Sequence, residues 1–117
     1  MKFLILLTDP DPAAWERATE EQLQQVFAQH DQFSAAVAER GSIVSGEALA
    51  GVEEARTLRL VDGVRTVTDG PYAETAEQLG GFYLVDLPDA DVALELSRLL
   101  PEEYVIEVRP AVVEVGM

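Results

Sequence analysis

The sequence contains no cysteine and a single histidine, and both facts exclude particular kinds of catalytic or metal-binding site. Without cysteine, the chain has no disulfide framework, no thiol nucleophile and no zinc–thiolate site. Its single histidine, His30, cannot supply a three-histidine metal centre from one chain. We therefore expect a protein that carries neither a metal nor a cofactor.

Basic residues and long apolar runs are also scarce. Eight Lys and Arg stand against 22 Asp and Glu, for a net charge of -14. Such a chain repels phosphate backbones and anionic lipid, so we expect no nucleic acid and no membrane as partner. The longest apolar run, Phe3 to Leu7, is too short for a membrane span or a signal peptide. These features predict an acidic, cytoplasmic, single domain over residues 1–117.

Turn and cap signals in the first half of the chain predict a strand, a helix, a strand and a hairpin. The segment Thr19–Gln22 fits a capping box that begins the first helix, and Gly41 is expected to end it as a left-handed cap. The dipeptide Asp62–Gly63 lies between two alternating runs, which is a strong hairpin signal. In that hairpin, Leu58 should lie opposite Val67.

The second half of the chain predicts a loop, a strand, a helix and a final strand. A second capping-box pattern at Thr75–Gln78 indicates one helical turn within the loop. An apolar strand follows at Gly81–Leu87. Asp89 is then the expected N-cap of a helix that Pro101 ends, and the last strand is expected over Tyr104–Val115.

The resulting order, β-α-β, inserted hairpin, β-α-β, predicts an α+β fold of the ferredoxin-like type. Both helices should cover one face of an antiparallel sheet. Residues Phe3–Leu7 are nevertheless apolar on both faces of their strand, and so are residues Phe82–Val85. The second face therefore needs a cover, and a second copy of the chain is the simplest one. We predict a homodimer that packs sheet against sheet.

His30 is the first candidate functional residue, because helical periodicity centres it on an apolar stripe. At about 100° per residue, the neighbours within about 60° of His30 are Leu23, Val26, Phe27, Phe33, Ser34 and Val37. The imidazole should thus face the sheet. Two interpretations remain open: a core histidine bonded to backbone or to a buried hydroxyl, or a general base in a cleft, oriented by a carboxylate.

The loop after the hairpin is the second candidate, because acidic, phenolic and hydroxyl groups crowd a rigid segment there. Each of these residues also has a structural explanation as part of a turn. Asp69 is the candidate acidic group of this segment, and the candidate ligand-binding residues are Thr68, Tyr72 and Glu74. The glycines of Leu79–Phe82 indicate close backbone packing, because they lack the spacing of a dinucleotide fingerprint.

These motifs resemble a known family. The segment Val67–Thr75, followed by Gln78–Phe82, is similar to the signature of the DGPF group of YCII-related proteins, with Tyr72 where phenylalanine is usual. The segments Glu39–Gly41 and Gly46–Leu49 resemble that family's helix-to-strand turn. The similarity covers essentially the whole chain. It implies a ferredoxin-like fold that dimerises into an α+β barrel.

The resemblance implies less about activity, because most members have no assigned function. In the wider superfamily a His and an Asp have been proposed as an acid–base pair, and at least one relative is a dehydrochlorinase acting on a chlorinated hydroxyquinol. His30 lies eleven residues before Gly41, which matches the superfamily's helix histidine, and Asp69 is the motif aspartate. Genes of DGPF proteins often neighbour those of sigma factors, which implies a signalling accessory role.

Two functional hypotheses follow. The first is a small-molecule-binding or metal-free acid–base pocket, of lyase or isomerase type, between the first helix and the sheet, with His30 as base and Asp69 as its orienting group. The second is a non-catalytic interaction module with a possible sigma-factor partner, docked through the acidic surface. An enzyme and a binding module both fit the sequence.

Overall fold

The structure is a computed structural model, and it describes residues 1–73 and 77–112. Within these residues the strands are β1 (Lys2–Asp9), β2 (Ser42–Ala48), β3 (Arg56–Val61), β4 (Val64–Asp69), β5 (Gln78–Asp86) and β6 (Val105–Ala111). The helices are α1 (Ala14–Arg17), α2 (Glu20–Arg40) and α3 (Ala90–Ser97), and one 3₁₀ turn covers Val52–Glu54. The helical turn expected at 75–78 and the end of the last strand beyond 112 fall largely outside the described residues.

Four strands form an antiparallel sheet in the order β2-β5-β1-β6. This order, with α2 and α3 between its strands, confirms the predicted ferredoxin-like α+β fold. Within the described part of the chain, the inserted strands β3 and β4 pair with each other alone, as a separate two-stranded sheet. The predicted register of Leu58 opposite Val67 is confirmed. Asp62 and Gly63 both have positive φ, 49° and 81°, as a two-residue hairpin turn requires.

The core lies between one face of the four-stranded sheet and the two longer helices. Phe3, Ile5 and Leu7 of β1 point to this face, because side chains alternate along a strand. They pack with Phe33 and Val37 of α2, and α3 adds further apolar side chains to the same cluster. The helices therefore cover one face, as predicted.

Local signals set most helix ends. Thr19 and Gln22 form the predicted capping box, with reciprocal bonds of 3.1 and 2.9 Å between their side chains and main-chain nitrogens. Asp89 caps α3 by accepting from the nitrogen of Val92 at 2.9 Å. The left-handed cap predicted at Gly41 is wrong, because its φ is -178°. Glycine fits there because a Cβ would overlap the main-chain oxygen of Asp86.

The hairpin of β3 and β4, residues 56–69, stands apart from the core, and we call it the arm. Every residue of β4 is exposed, and so are five of the six residues of β3. The radius of gyration is 16.2 Å, whereas a compact domain of this length has about 13 Å. Among the described residues, no helix is long and apolar enough to cross a membrane.

Candidate functional site

A pocket of about 390 Å³ lies beneath the first half of α2. The sheet residues under this half of the helix are small, namely Gly46 and Ala48 on β2 and Gly80 and Gly81 on β5. Because these residues carry little or no side chain, the space between helix and sheet is not filled. The void is thus a direct consequence of where the sequence places its glycines.

The walls of this pocket are mostly apolar. Leu23, Val26 and Phe27 line it from α2, together with His30. Trp15 and Tyr104 line it as well, with ring centroids 5.9 Å apart. Phe27 belongs to the predicted apolar stripe and lines the pocket, but its side chain is 65% exposed.

Both ring nitrogens of His30 contact tyrosine hydroxyls. Its Nδ1 lies 2.6 Å from Oη of Tyr83, and its Nε2 lies 3.2 Å from Oη of Tyr104. The imidazole therefore faces the sheet, which confirms the prediction from helical periodicity. The side chain is bonded to half-buried hydroxyls, as the first interpretation expects, and it lines a pocket, while the role of a general base stays a prediction.

Burial sets the protonation state of this group. Desolvation lowers the pKa of His30 from its usual 6.5, and the charge of Asp31 opposes part of this shift. Desolvation also raises the pKa of Tyr83, and it raises the pKa of Tyr104 to about 12, with a contribution from the charge of Asp9. Around pH 7 the site therefore holds a neutral imidazole between two protonated phenols.

The ring of Tyr83 is held from two sides. A Cβ on Gly46 would lie 2.7 Å from Cδ1 of Tyr83, so glycine lets the ring rest against β2. On the helix side, Phe33 packs with its ring centroid 4.7 Å from that of Tyr83. These contacts orient the hydroxyl towards Nδ1 of His30.

Asp9 is a buried carboxyl group at the end of β1, only 9% exposed. Its Oδ1 accepts a 2.8 Å bond from Nε1 of Trp15, and burial raises its pKa above the usual 3.8. Gly80 makes room for this carboxyl, because a Cβ there would overlap Oδ2 of Asp9. The pairing of β1 with β5 shifts register between Leu7 and Thr8, which leaves Gly80 as an extra residue.

A larger cavity of about 800 Å³ adjoins the pocket and shares Trp15 with it. Its lining includes the carboxylates of Asp9, Asp11, Glu102 and Glu103. The indole of Trp15 therefore borders an acidic cleft as well as the apolar pocket. Among the described residues, no group of three or more His, Asp and Glu could hold a metal ion.

The other predicted site residues lie away from His30. Asp69 is the last residue of β4, is exposed, and pairs across the hairpin with Arg56. Thr68 is exposed on the same strand and donates to the main-chain oxygen of Thr57. Neither Thr68 nor Asp69 lines the pocket. The structure thus does not bring Asp69 and His30 together within one chain.

Tyr72 is 79% exposed beyond the arm. The guanidinium of Arg59 lies 5.1 Å from the centre of its ring, and this arginine also donates to the main-chain oxygen of Tyr72. Glu74 lies outside the described residues. The ligand-binding role predicted for these two residues is therefore not connected to the pocket by any described contact.

Sequence reasoning missed Asp9, Tyr83 and Tyr104, although one signal for them was present. Asp9 continues the buried alternation of β1, whose buried-face residues are otherwise apolar. Tyr83 lies opposite Ile5 on the same face of the sheet. A polar group in the register of a buried face needs a hydrogen-bond partner, and that requirement points to a site.

The titration of His30 tests the electrostatics of the pocket. We expect its imidazole NMR signals to titrate with a midpoint below about 6.5, because burial disfavours the charged ring. The substitution Asp31→Asn should lower the midpoint further, since it removes a favourable charge. Asp69→Asn is the matched control and should leave the titration midpoint of His30 unchanged. A midpoint above 6.5 that falls in Asp69→Asn would instead establish a pair between Asp69 and His30.

Asp9 should make folding less favourable as pH rises. Its folded-state pKa is raised, so the folded protein binds this proton more tightly than the unfolded chain does. That contribution to stability is lost above the raised pKa. We expect Asp9→Asn, which keeps an acceptor for Trp15, to unfold at higher urea concentration than the wild type at pH 7. The advantage should shrink towards about pH 4.

The control is Asp11→Asn, which removes an exposed carboxylate that pairs with Arg17 on the surface. Its effect should be small at both pH values, because exposed ion pairs contribute about 0–1 kcal/mol. If Asp9→Asn is less stable than the wild type at pH 7, then the charged carboxylate is needed for folding, and the expectation is wrong.

Comparison with known proteins places this architecture in a family. The YCII-related domain matches residues 1–112. A stretch of 60 residues is 50% identical to an uncharacterized protein of Rhizobium meliloti (strain 1021), and it covers 48% of each chain. The match thus spans about half the length of that relative. On the domain match, which covers nearly the whole sequence, the chain belongs to the YCII-related domain family.

Proposed function

We propose that this protein binds a small, largely apolar molecule in the pocket between α2 and the sheet, and that His30 acts there as a general base. The observation that carries the proposal is the neutral imidazole held between the hydroxyls of Tyr83 and Tyr104 in an apolar pocket. A few convergent polar groups in an apolar concavity are typical of small-molecule sites.

The two distances favour one arrangement of the protons. A separation of 2.6 Å suits an O–H donor, so Tyr83 donates to Nδ1 of His30. Nε2 then carries the ring proton and donates to Tyr104 at 3.2 Å. Tyr104 accepts that bond, so its own O–H proton is free to bond an oxygen atom of a ligand. In this arrangement Tyr83 takes the orienting role that the sequence assigned to Asp69.

This arrangement suits acid–base chemistry of the lyase or isomerase type. Ligand entry that displaces the 3.2 Å contact with Tyr104 uncovers Nε2 of His30. In the other neutral tautomer, Nδ1–H donates to Tyr83 and Nε2 is unprotonated, so Nε2 can then accept a proton from carbon next to a carbonyl group. Tyr104, with a pKa of about 12, stays protonated and stabilises the charge that develops on the carbonyl oxygen. The proton passes from carbon to His30, and the electron pair moves towards oxygen. In isomerisation the imidazolium returns that proton to a neighbouring carbon, whereas in elimination the electron pair expels a leaving group as its anion and the proton stays on His30 until solvent removes it.

The test uses two probe molecules of similar shape, acetophenone and ethylbenzene, of which only the first has a hydrogen-bond acceptor. We expect both to shift the NMR signals of His30, and acetophenone to bind more tightly. Tyr104→Phe should weaken acetophenone binding roughly 3- to 10-fold, the value of one net hydrogen bond. It should leave ethylbenzene binding unchanged.

Tyr72→Phe is the matched control, because it removes a phenolic hydroxyl outside the pocket. Equal losses of acetophenone binding in Tyr72→Phe and Tyr104→Phe would contradict the assigned role of Tyr104. If neither probe affects His30 at millimolar concentration, the pocket does not accept ligands of this class, and the proposal fails.

The alternative is a non-catalytic module that docks on a basic partner such as a sigma factor. It is supported by the net charge of -14. Two results together would favour this alternative. The immobilised protein would retain a purified sigma factor at low salt and release it at high salt, and neither acetophenone nor ethylbenzene would shift the NMR signals of His30.

We also propose that the protein is a homodimer through the sheet face that the helices do not cover, which we call the open face. Leu4 lies opposite Leu84, and Leu6 lies opposite Phe82, so these four side chains form a continuous apolar stripe on that face. They are partly buried within the single chain, while their neighbours along β1 are fully buried on the helix side. A second copy would remove this stripe from water.

Sedimentation at micromolar concentration tests the dimer. We expect twice the chain mass of 12.8 kDa for the wild type. Leu6→Glu should give a folded monomer, because a charge on the stripe opposes burial. Leu94→Glu, on an exposed position of α3, is the control and should remain dimeric. A wild-type monomer would contradict the proposal.

A further inference from the structure

The arm is a two-stranded ribbon with one markedly apolar face. Leu58 and Val67 lie directly opposite each other, and Leu60 follows on the same face. These side chains are 49%, 59% and 71% exposed. An isolated hairpin of this size is at best marginally stable in water. The apolar face of the arm therefore needs a surface to pack on.

The charge of the arm is opposite in sign to that of the rest of the chain. Residues 56–69 hold three arginines and two aspartates, a net charge of +1, which leaves -15 for the other residues. Arg56 and Arg65 lie on the apolar face, opposite Asp69 and Leu60 in the register, so this face carries two arginines and one aspartate. Among the described residues, neither forms an ion pair.

The open face carries the complementary pattern. Its apolar stripe is bordered by Glu47, opposite Phe82, and by Glu107, opposite Leu6. Glu107 lies 3.4 Å from Arg109 in an exposed pair, which holds it only weakly. This row of the open face thus has an apolar centre and acidic ends, whereas Arg109 lies in the next row, opposite Leu4. The row is available to a surface with an apolar centre and basic borders.

The dimensions of the two surfaces agree. The arm has strands of six residues, about 20 Å at 3.3 Å per residue. The open face is four strands wide, about 19 Å at the usual spacing of 4.8 Å. The arm can therefore reach from one border of such a face to the other.

We propose that the arm of one chain packs its Leu58, Leu60 and Val67 face across one row of the open face of a second copy. That row runs from Glu47 through Phe82 and Leu6 to Glu107, so Arg56 and Arg65 are directed to the two glutamates, while the next row, Leu4 and Leu84, stays against the partner's sheet. The inference rests on the homodimer proposed above. Two-fold symmetry makes the contact reciprocal, so each dimer contains two such arms. A second copy is the favoured occupant because it offers an acidic surface, whereas nucleic acid and anionic lipid are repelled by the charge of -15 beside the arm.

Charge reversal on the two surfaces tests the pairing. The arm variant carries Arg56→Glu and Arg65→Glu, and the face variant carries Glu47→Arg and Glu107→Arg. We expect each variant alone to dimerise at least tenfold more weakly than the wild type in sedimentation equilibrium. An equimolar mixture should regain wild-type affinity, because both reciprocal contacts are then between opposite charges.

A pair of single substitutions tests the apolar face in the same way. Leu60→Asp places a charge on the docking face of the arm, whereas Val64→Asp places one on its opposite face. Both positions are exposed, at 71% and 64%, so neither substitution disturbs a packed core. We expect Leu60→Asp to weaken the dimer at least tenfold and Val64→Asp to leave it unchanged.

The outcomes separate the arm contact from the dimer itself. A wild-type monomer overturns both proposals. A wild-type dimer whose arm variant dimerises with unchanged affinity overturns the arm contact and leaves the sheet-to-sheet dimer standing. Weak association of both variants that does not recover on mixing overturns the assigned charge pairing. Near-ultraviolet circular dichroism, which reports the packing of Trp15, verifies that each variant is folded.

Discussion

The packing of α2 on the sheet is the contact on which the rest of the structure depends. In its second half, Phe33 and Val37 meet Phe3 and Val85, and all four side chains are fully buried. These large groups set how far the helix stands above the sheet. In its first half, the helix lies over Gly46, Gly80 and Gly81, which carry no side chain, and a pocket is left between helix and sheet. One helix therefore produces the core at one end and the pocket at the other.

The position of His30 at the boundary between these halves determines its chemistry. The net charge of -14 favours a protonated imidazole, but burial dominates, and Asp31 offsets it only in part. The two phenols complete the hydrogen bonding of the neutral ring without adding charge. A histidine that stays neutral around pH 7 can accept a proton. The hydrogen bonds that satisfy this buried polar side chain thus also keep it neutral, as the proposed role of a base requires.

The sequence was informative where a signal is local. The capping box at Thr19, the N-cap at Asp89 and the register of the hairpin each depend on residues a few positions apart, and each is confirmed. The orientation of His30 follows from helical periodicity alone. The partners of His30 could not be predicted in this way, because Tyr83 and Tyr104 reach it only through the pairing of strands far apart in sequence.

The position of Asp69 also could not be predicted from local sequence signals. Asp69 is the last residue of β4, and among the described residues this strand pairs with β3 alone. The direction in which the arm extends from the core therefore determines what Asp69 can contact. Gly41 is a similar case, because its role comes from the nearby carbonyl of Asp86 on a different strand and not from the helix end itself.

The arm and the open face are both apolar surfaces on a strongly acidic chain, so charge repulsion opposes their burial between two copies. Association of two chains that each carry -14 is opposed by long-range repulsion, which salt screens over about 10 Å at 0.1 M. Burial of apolar surface alone would have to overcome this repulsion. Three of the eight basic residues lie on the arm, whose apolar face is exposed. In the proposed dimer, positive charge concentrated beside the apolar contact would turn part of the repulsion into local attraction. The net charge, which repels other acidic molecules from the remaining surface, would stay the same.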